Sequence, residues 1–189
     1  MTDIARLNLP PVDMGTAPDR ARKVLEGAKR QVGFIPNMYA NMANLPGLLE
    51  TYLTGYGRFR EEAGFDSWEQ ELVFLVVSAE NGCHYCTAAH GMMAERTVGM
   101  SREVVDAVIA GGAPPDPRHA ALCAFTRRMF ASRGRPTPAE LLAFRGAGFH
   151  DQHVLGIVLA IAVKTLSNYV NHVCHTELDA AFAPGTGAS

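Results

Sequence analysis

Clusters of basic residues are missing from this chain of 189 residues, in which lysine and arginine stand singly or in pairs. The formal net charge is -2 at pH 7, and the isoelectric point is near 6.4. Proteins that bind nucleic acid or an anionic membrane surface usually concentrate positive charge on one face. We therefore expect neither nucleic acid nor a membrane as a partner.

A targeting or membrane-spanning segment is not evident either. The N-terminal sequence Met-Thr-Asp-Ile-Ala-Arg lacks the basic stretch and apolar stretch of a signal peptide. The longest apolar run, 154–163, is interrupted only by Gly156 and is too short to cross a bilayer. We expect a cytoplasmic protein, and in that compartment four cysteines do not indicate a disulfide framework.

Alternation of apolar and polar residues, which is typical of strands, is not found, and no internal repeat is convincing. Hydrophobic residues make up 48% of the chain and charged residues 19%, which is ordinary for a globular core. The sequence predicts a single all-α domain over residues 1–189. Residues 1–17 are predicted to form an extended N-terminal arm, and residues 183–189 a loose tail.

Helical periodicity and helix-capping residues predict the individual elements. Helices are expected at 18–31, at 40–44, from 46 to about 60, and then at 67–81, 84–98, 101–109, 116–131, 137–146 and 151 to about 182. Ser67 and Gln70 have the spacing of a capping box. The run 72–77 is rich in β-branched residues, but the cap and the unbroken length to Asn81 favour a buried helix over a strand.

Two cysteines lie within the clearest motif of the chain. Cys83 and Cys86 are three residues apart, His90 follows four residues later, and Glu71 lies twelve residues before Cys83. Helix positions i, i+3 and i+7 share one face, so the two thiols and the imidazole can point the same way. Asn81-Gly82 is a helix stop that places Cys83 at the start of the next helix.

This motif suits redox chemistry. The positive end of a helix dipole stabilises a thiolate at Cys83, and His90 can accept the thiol proton of Cys86. Glu71 would fix the tautomer of His90 and support its positive charge. A thiolate that attacks an oxidant becomes sulfenic acid, and a second cysteine condenses with it to a disulfide.

The spacing Glu71-x11-Cys83-x2-Cys86-x3-His90 resembles that of the carboxymuconolactone decarboxylase / alkylhydroperoxidase D superfamily, most of all its peroxidase-related branch. The resemblance covers roughly residues 65–110. It implies an alkylhydroperoxidase D-like helical bundle, which here has a long C-terminal helix. It also implies thiol-dependent reduction of small organic hydroperoxides or hydrogen peroxide.

The same resemblance implies a role for each site residue. Cys86 is the peroxidatic thiol, Cys83 the resolving and more exposed thiol, His90 the base and Glu71 the relay carboxylate. The electrons would come from a dithiol donor, either a lipoyl protein, a thioredoxin-like protein or a small thiol. The redox-active cysteine pair is expected to work with no cofactor and no metal.

Tyr85 departs from the family pattern, in which a further histidine stands immediately before the second cysteine. His84 stands one residue earlier and points in a different direction on the helix. We treat both as candidate accessory residues. Tyr85 either lies over the active site or simply packs, and His84 either stabilises the Cys83 thiolate or faces solvent.

Other functions remain open at this stage. A non-peroxidatic dithiol/disulfide reductase or a redox-switch oligomer could use the same cysteine pair. A lactone decarboxylase-like enzyme is a minor alternative, since decarboxylases of the superfamily lack the cysteine pair. A structural zinc site would need four ligands, and His172, Cys174 and His175 cannot all share one helical face.

Several residues have simpler interpretations. Cys123 lies among apolar neighbours and is expected to pack in the core, as is Cys174 near the chain end. Glu80 competes with Glu71 for the role of relay carboxylate, but it lies at a helix end and is expected to be solvated.

The predicted last helix, of about thirty residues, has apolar positions around much of its surface and is hard to bury within one small domain. Asn168 and Asn171 lie on it, and such amides usually hydrogen-bond across a helix contact, at a subunit interface or a pocket wall. We therefore expect a homo-oligomer, a dimer, trimer or hexamer.

Overall fold

The computed structural model describes residues 4–183. That part of the chain contains nine α-helices and no strand, which confirms the all-α prediction. The helices are α1 (Asp19–Val32), α2 (Asn37–Met42), α3 (Pro46–Glu62), α4 (Ser67–Glu80), α5 (His84–Val98), α6 (Arg102–Ile109), α7 (Pro117–Ala131), α8 (Pro138–Gly146) and α9 (Asp151–Cys174), and a short 3-10 helix, Ala180–Phe182, follows.

Helix α4 forms the centre of the bundle, and α5, α6, α7 and α9 pack around it. It is buried without interruption from Glu69 to Ser78, so the β-branched run is a buried helix as predicted. The capping box is one residue earlier than predicted. Asp66 accepts a hydrogen bond from the backbone N–H of Glu69, whose side chain accepts one from the N–H of Asp66. The aspartate competes successfully with Ser67 for the cap because its charged carboxylate is a stronger acceptor.

Helix α5 follows α4 after a tight reversal. Gly82 has a φ of 64°, a conformation that favours glycine, and the next residue, Cys83, is the N-cap of α5. The N–H of Cys83 donates to the carbonyl of Ser78, which fixes the start of the new helix against the end of the old one. The helix ends at Gly99, as predicted.

Helix α9 is shorter than predicted, since it ends at Cys174 rather than near 182. His175 adopts the left-handed conformation, with a φ of 50°, and turns the chain away. The following polar residues bind α2 instead of continuing the helix: the Asn41 amide donates to Thr176, and the backbone N–H of Asn37 donates to Asp179. We call residues 176–182 the strap.

By length and composition alone, α9 could cross a membrane, the one such helix among residues 4–183. It packs against α2, α3 and α4 in the bundle, as a core helix does, and it carries a fully buried lysine, Lys164. The approach to α3 is close: a Cβ atom at Gly55 would lie 2.8 Å from a methyl carbon of Val163. The absence of a membrane partner stays a prediction.

Residues 4–17 contain no helix or strand. The N–H of Leu7 donates to the carbonyl of Val173 at the end of α9, and the N–H of Val12 donates to Ala40 in α2. The arm therefore lies along the α2 and α9 end of the bundle. Of the predicted tail, only residue 183 lies within the described residues.

Candidate active site

The structure brings the four predicted site residues together in the core. Cys83 caps α5, Cys86 and His90 lie one and two turns further on, and Glu71 reaches them from the first turns of α4. All four are buried. The site is therefore built at the contact between the central helix α4 and its neighbour α5.

Both thiols are free, and both are covered by α9. The side-chain amide of Asn171 donates to Sγ of Cys86 at 3.3 Å and lies 3.6 Å from Sγ of Cys83. The expectation that Cys83 is the more exposed cysteine is wrong, since Cys83 is 1% exposed and Cys86 2%. The cause is Asn171, whose helix closes over the two sulfurs alike.

The electrostatic environment separates the two thiols. A hydrogen bond from Cys83 and the nearby positive charge of Lys164 hold the pKa of Cys86 well below its usual value, although burial acts in the opposite direction. The pKa of Cys83 is raised, because Cys83 donates that hydrogen bond, is buried and faces the negative charge of Cys86. These opposite shifts favour the charge on Cys86 and the proton on Cys83.

His90 uses both ring nitrogens. Its Nδ1 lies 2.9 Å from a carboxylate oxygen of Glu71, and its Nε2 lies 2.9 Å from Nζ of Lys164. An ammonium group can only donate, so Nε2 accepts and Nδ1–H donates to Glu71. Burial and the charge of Lys164 lower the pKa of His90, while Glu71 acts to raise it. The imidazole is therefore neutral, and it joins the ammonium group of Lys164 to the carboxylate of Glu71.

Glu71 has a second partner in Arg60 of α3, which donates to its other oxygen. Burial acts to raise the pKa of Glu71, but the hydrogen bonds and charges of His90 and Arg60 hold it below its ordinary value. Glu80, the rival carboxylate, pairs with Arg127 at 3.0 Å instead. The geometry thus assigns the contact with His90 to Glu71.

A pocket of about 160 Å³ opens onto Cys86, His90 and Lys164. Its walls are mainly aromatic and apolar: Tyr39, Tyr52, Tyr56, Tyr85, Phe182, Met38, Met93, Val32, Pro36 and Ala89. A dry cavity of similar size can hold a benzene ring. The pocket is therefore suited to a small apolar molecule with its reactive end against Cys86.

Tyr85 faces this pocket and holds the strap. Its hydroxyl donates to the carboxylate of Asp179, and the ring of Phe182 meets its ring edge-on with the centroids 5.8 Å apart. Burial and the neighbouring carboxylate raise the pKa of Tyr85. His84 is exposed to solvent and lies away from this pocket. Of the two accessory candidates, only Tyr85 contacts the site.

Three contributors to the site were not predicted from the sequence: Lys164, Arg60 and the strap. A signal for Lys164 was available, because the lysine directly follows the longest apolar run, 154–163, and a charge in such a run is seldom free of a partner. Asn171 was singled out as a polar residue on an apolar helix, and it lines the thiols. Arg60 and the strap carry no comparable signal.

The remaining cysteines lie elsewhere. Cys123 is fully buried, and Cys174 is half-buried at the end of α9, as expected of packing residues. Within residues 4–183, no group of three or more histidine, cysteine, aspartate or glutamate side chains could hold a metal ion. The zinc alternative therefore lacks a ligand set in this part of the chain.

Comparison with solved structures shows the same fold in other proteins. The crystal structure of an alkylhydroperoxidase AhpD core, an uncharacterized peroxidase-related protein from Ralstonia eutropha JMP134, has a TM-score of 0.81 and 24% identity, and the match covers 96% of each chain. An uncharacterized peroxidase-related protein from Silicibacter sp. TM1040 has a TM-score of 0.79 and 23% identity, over 96% of this chain and 95% of the other.

A third similar structure is that of the debrominase Bmp8, in a cysteine-to-alanine variant bound to 2,3,4-tribromopyrrole. It has a TM-score of 0.73 and 19% identity, over 95% of this chain and 96% of the other. None of the curated proteins matches the sequence.

A family comparison matches the segment that carries the site. Residues 46–128 match the model of the carboxymuconolactone decarboxylase family, and this segment includes Glu71, Cys83, Cys86 and His90. The rest of the fold agrees with the peroxidase-related structures. The match over residues 46–128 and the shared fold support the predicted resemblance to the carboxymuconolactone decarboxylase / alkylhydroperoxidase D superfamily.

Proposed function

We propose that the protein is a thiol-dependent peroxidase that reduces small organic hydroperoxides. The observation that carries this proposal is the position of Cys86, which lines an apolar pocket and has the thiol of Cys83 beside it. The surroundings of Cys86 lower its pKa and favour the thiolate, whereas the pKa of the neighbouring Cys83 is raised. A thiolate in an accessible pocket with a resolving thiol beside it is the arrangement that a peroxide-reducing cysteine pair needs.

The chemistry begins at Cys86. Its thiolate attacks the terminal oxygen of the hydroperoxide, the O–O bond breaks, and Cys86 becomes a sulfenic acid while an alkoxide leaves and takes up a proton. The sulfur of Cys83 then attacks the sulfenic sulfur and forms a disulfide. The hydroxide that leaves combines with the proton of Cys83 as water. Two electrons from an external dithiol restore both thiols.

The lining of the pocket favours an organic hydroperoxide over hydrogen peroxide. Tyrosine, phenylalanine and methionine side chains gain little from a small polar molecule but bury the carbon skeleton of an alkyl or aryl hydroperoxide. Hydrogen peroxide would react at the same sulfur without this binding energy. We therefore expect a lower KM for the organic substrate.

The electron donor must reach two buried sulfurs. A lipoyl group on a flexible arm or a small dithiol fits this geometry more easily than the flat active-site surface of a thioredoxin-like protein. A cytoplasmic location would supply such donors and keep the thiols reduced. The exposed apolar side chains along α9, Leu155, Val158, Tyr169 and Val173, support a homo-oligomer.

The test is peroxide consumption with excess dithiol. The wild type should show saturable turnover, the Cys86→Ser variant none, and the Cys83→Ser variant one turnover followed by arrest. Cys123→Ser, which changes a buried cysteine outside the site, is the matched control and should keep turnover. Activity that survives in the Cys86 variant would contradict the proposal.

A second candidate is a dithiol-driven reduction of a halogenated aromatic ring. The observation that favours it is the aromatic lining around Cys86, together with the shared fold of the debrominase Bmp8. The balanced reaction consumes a dithiol and an aryl halide and gives the arene, a hydrogen halide and a disulfide. Dithiol-dependent release of bromide from a brominated pyrrole, lost in the Cys86→Ser variant, would establish it.

A further inference from the structure

Lys164 is fully buried at the active site, where its Nζ lies 2.9 Å from Nε2 of His90. We propose that Lys164 is a catalytic residue, whose ammonium group holds the Cys86 thiolate and gives a proton to the oxygen that leaves the substrate. The proton transfer to the leaving oxygen rests on the proposed peroxidase function. The stabilisation of the Cys86 thiolate does not.

A buried ammonium group needs acceptors and a counter-charge. In the described part of the chain, Lys164 makes no ion pair with a carboxylate, lies 2.9 Å from His90 Nε2 and lines the same pocket as Cys86. Its charge helps to lower the pKa of that thiol. Glu71 lies on the far side of the imidazole and is already paired with Arg60. The charges of the site therefore form two pairs, Arg60 with Glu71 and Lys164 with Cys86.

The placement of Lys164 on α9 supports this pairing. Lys164, Ser167 and Asn171 stand at i, i+3 and i+7 and share one helical face. Asn171 donates to Sγ of Cys86, and the hydroxyl of Ser167 lies 4.0 Å from the same sulfur. Cys86 is thus met by three polar groups from a single helix, of which the lysine supplies the positive charge.

The arrangement changes the proton route that the sequence predicts. Direct transfer between Cys86 and His90 would need a free ring nitrogen, but Glu71 and Lys164 occupy both nitrogens. Glu71, His90 and Lys164 are connected in that order, and Lys164 lines the pocket beside Cys86. The imidazole therefore holds the lysine in place, and the lysine is the cation that faces the reacting sulfur.

The proton balance of the cycle follows from this order. When the O–O bond breaks, Nζ of Lys164 gives its proton to the alkoxide and becomes a neutral amine. The proton of Cys83 leaves with the hydroxide as water when the disulfide forms. The external dithiol then returns two protons with its two electrons, of which one stays on Cys83 and the other moves from Cys86 to Lys164.

Two variants separate charge from proton donation. Lys164→Met nearly keeps the length of the side chain and removes both functions. Lys164→Arg keeps the positive charge but cannot give up a proton near neutral pH. Circular dichroism and thermal unfolding would show that each variant is folded, and Lys23→Met, at an exposed lysine of α1, controls for the loss of one lysine.

The first readout needs no peroxide. The rate of alkylation of Cys86 by iodoacetamide is followed by mass spectrometry from about pH 5 to about pH 9, a range that separates a stabilised thiolate from an ordinary thiol. Lys164→Met should slow alkylation at the acid end about tenfold or more and move the midpoint upwards, whereas Lys164→Arg should keep the wild-type profile. An unchanged profile in a folded Lys164→Met protein would overturn the proposal.

The second readout compares two peroxides. A peracid releases a carboxylate, which needs no proton, and an alkyl hydroperoxide releases an alkoxide, which does. Lys164→Arg should reduce the peracid at nearly the wild-type rate and the alkyl hydroperoxide about 10²-fold more slowly. Equal losses for both peroxides would overturn the acid role. If the wild type reduces neither peroxide, the peroxidase function fails, and a shifted alkylation profile in Lys164→Met still upholds the pairing with Cys86.

Discussion

The hydroxyl of Tyr85 donates a hydrogen bond to the carboxylate of Asp179, although the two residues are 94 positions apart in the chain. The same carboxylate accepts from the backbone N–H of Asn37 at the start of α2. Asp179 therefore ties the strap to two helices at once, and Phe182 is held against the mouth of the pocket. We therefore expect this contact to limit access to Cys86.

Removal of the Asp179 carboxylate should open the pocket. In the Asp179→Ala variant, a bulky aryl maleimide should alkylate Cys86 about tenfold faster than in the wild type, since two charge-assisted hydrogen bonds are lost. The rate of alkylation by the smaller reagent iodoacetamide should increase less. Glu177→Ala, at an exposed acidic residue of the same strap, is the control. If each reagent alkylates Cys86 at the same rate in the wild type and in both variants, the strap does not limit access.

Replacement of Glu71 by glutamine should impair catalysis and stability together. The amide oxygen can still accept from His90, but Arg60 loses its counter-charge, so we expect kcat/KM to fall about 10²-fold and the free energy of unfolding to fall by about 1–3 kcal/mol. Peroxide kinetics and urea unfolding measure the two effects.

Glu69→Gln is the matched control for this change. Glu69 is also a buried glutamate of α4 paired with an arginine, Arg118, but it lies away from the thiols. This variant should lose stability through the ion pair, keep the capping box, which glutamine can also complete, and keep its catalytic constants. A similar catalytic loss in both variants would mean that Glu71 acts only through the stability of α4.

The free energy of unfolding should fall as the pH is lowered below the ordinary pKa of histidine. Burial and Lys164 lower the pKa of His90 in the folded state, so the unfolded chain binds the proton more readily. Stability is therefore full above about pH 6.5 and declines as the pH falls from that value towards the lower folded pKa. His90→Asn should flatten the slope of urea-derived stability against pH in this window.

The exposed histidine of the same helix, His84, provides the comparison for this slope. Stability of the His84→Asn variant is measured over the same pH range. A slope that is lost equally in both variants, or in neither, would contradict the assignment to His90.

Two glycines of α3 should respond in opposite ways to alanine. A Cβ atom at Gly55 would meet Val163 at 2.8 Å, whereas a Cβ atom at Gly57 would meet nothing within 4 Å. Gly55→Ala should push α9 outwards and lower the free energy of unfolding by about 1–3 kcal/mol. Gly57→Ala should raise it by about 0.5–1 kcal/mol, because alanine is the better helix former.

Thermal and urea unfolding of both glycine variants test this contrast. Because Val163 directly precedes Lys164, Gly55→Ala should also slow alkylation of Cys86 at low pH. If the two variants have equal stability, the packing of α9 on α3 is looser than the structure indicates.

The helices were largely predictable because their signals are local. The reversal at Asn81-Gly82 and the stop at Gly99 follow from residues within one turn, and both were predicted correctly. The end of α9 was not, because residues 176–179 bind α2 rather than each other. A contact between such distant parts of the chain leaves no periodic pattern in the sequence.

The site was predictable in so far as one motif contains it. Glu71, Cys83, Cys86 and His90 lie close together in the sequence, and their spacing brings them together on two adjacent helices. Lys164 comes from a helix formed much later in the chain, and its contact with His90 depends on how α9 packs on α4. The relative exposure of the two cysteines was misjudged for the same reason, because α9 covers both.

The distance along the chain between the cysteine pair and α9 has a consequence for biosynthesis. The ribosome synthesises the N-terminal part of a domain first, and a domain generally folds as a unit. While α9 is still inside the exit tunnel, Cys86 has neither the ammonium of Lys164 nor the amide of Asn171 beside it. The nascent chain therefore carries an unactivated thiol pair, and its nucleophile is assembled only when the last long helix docks.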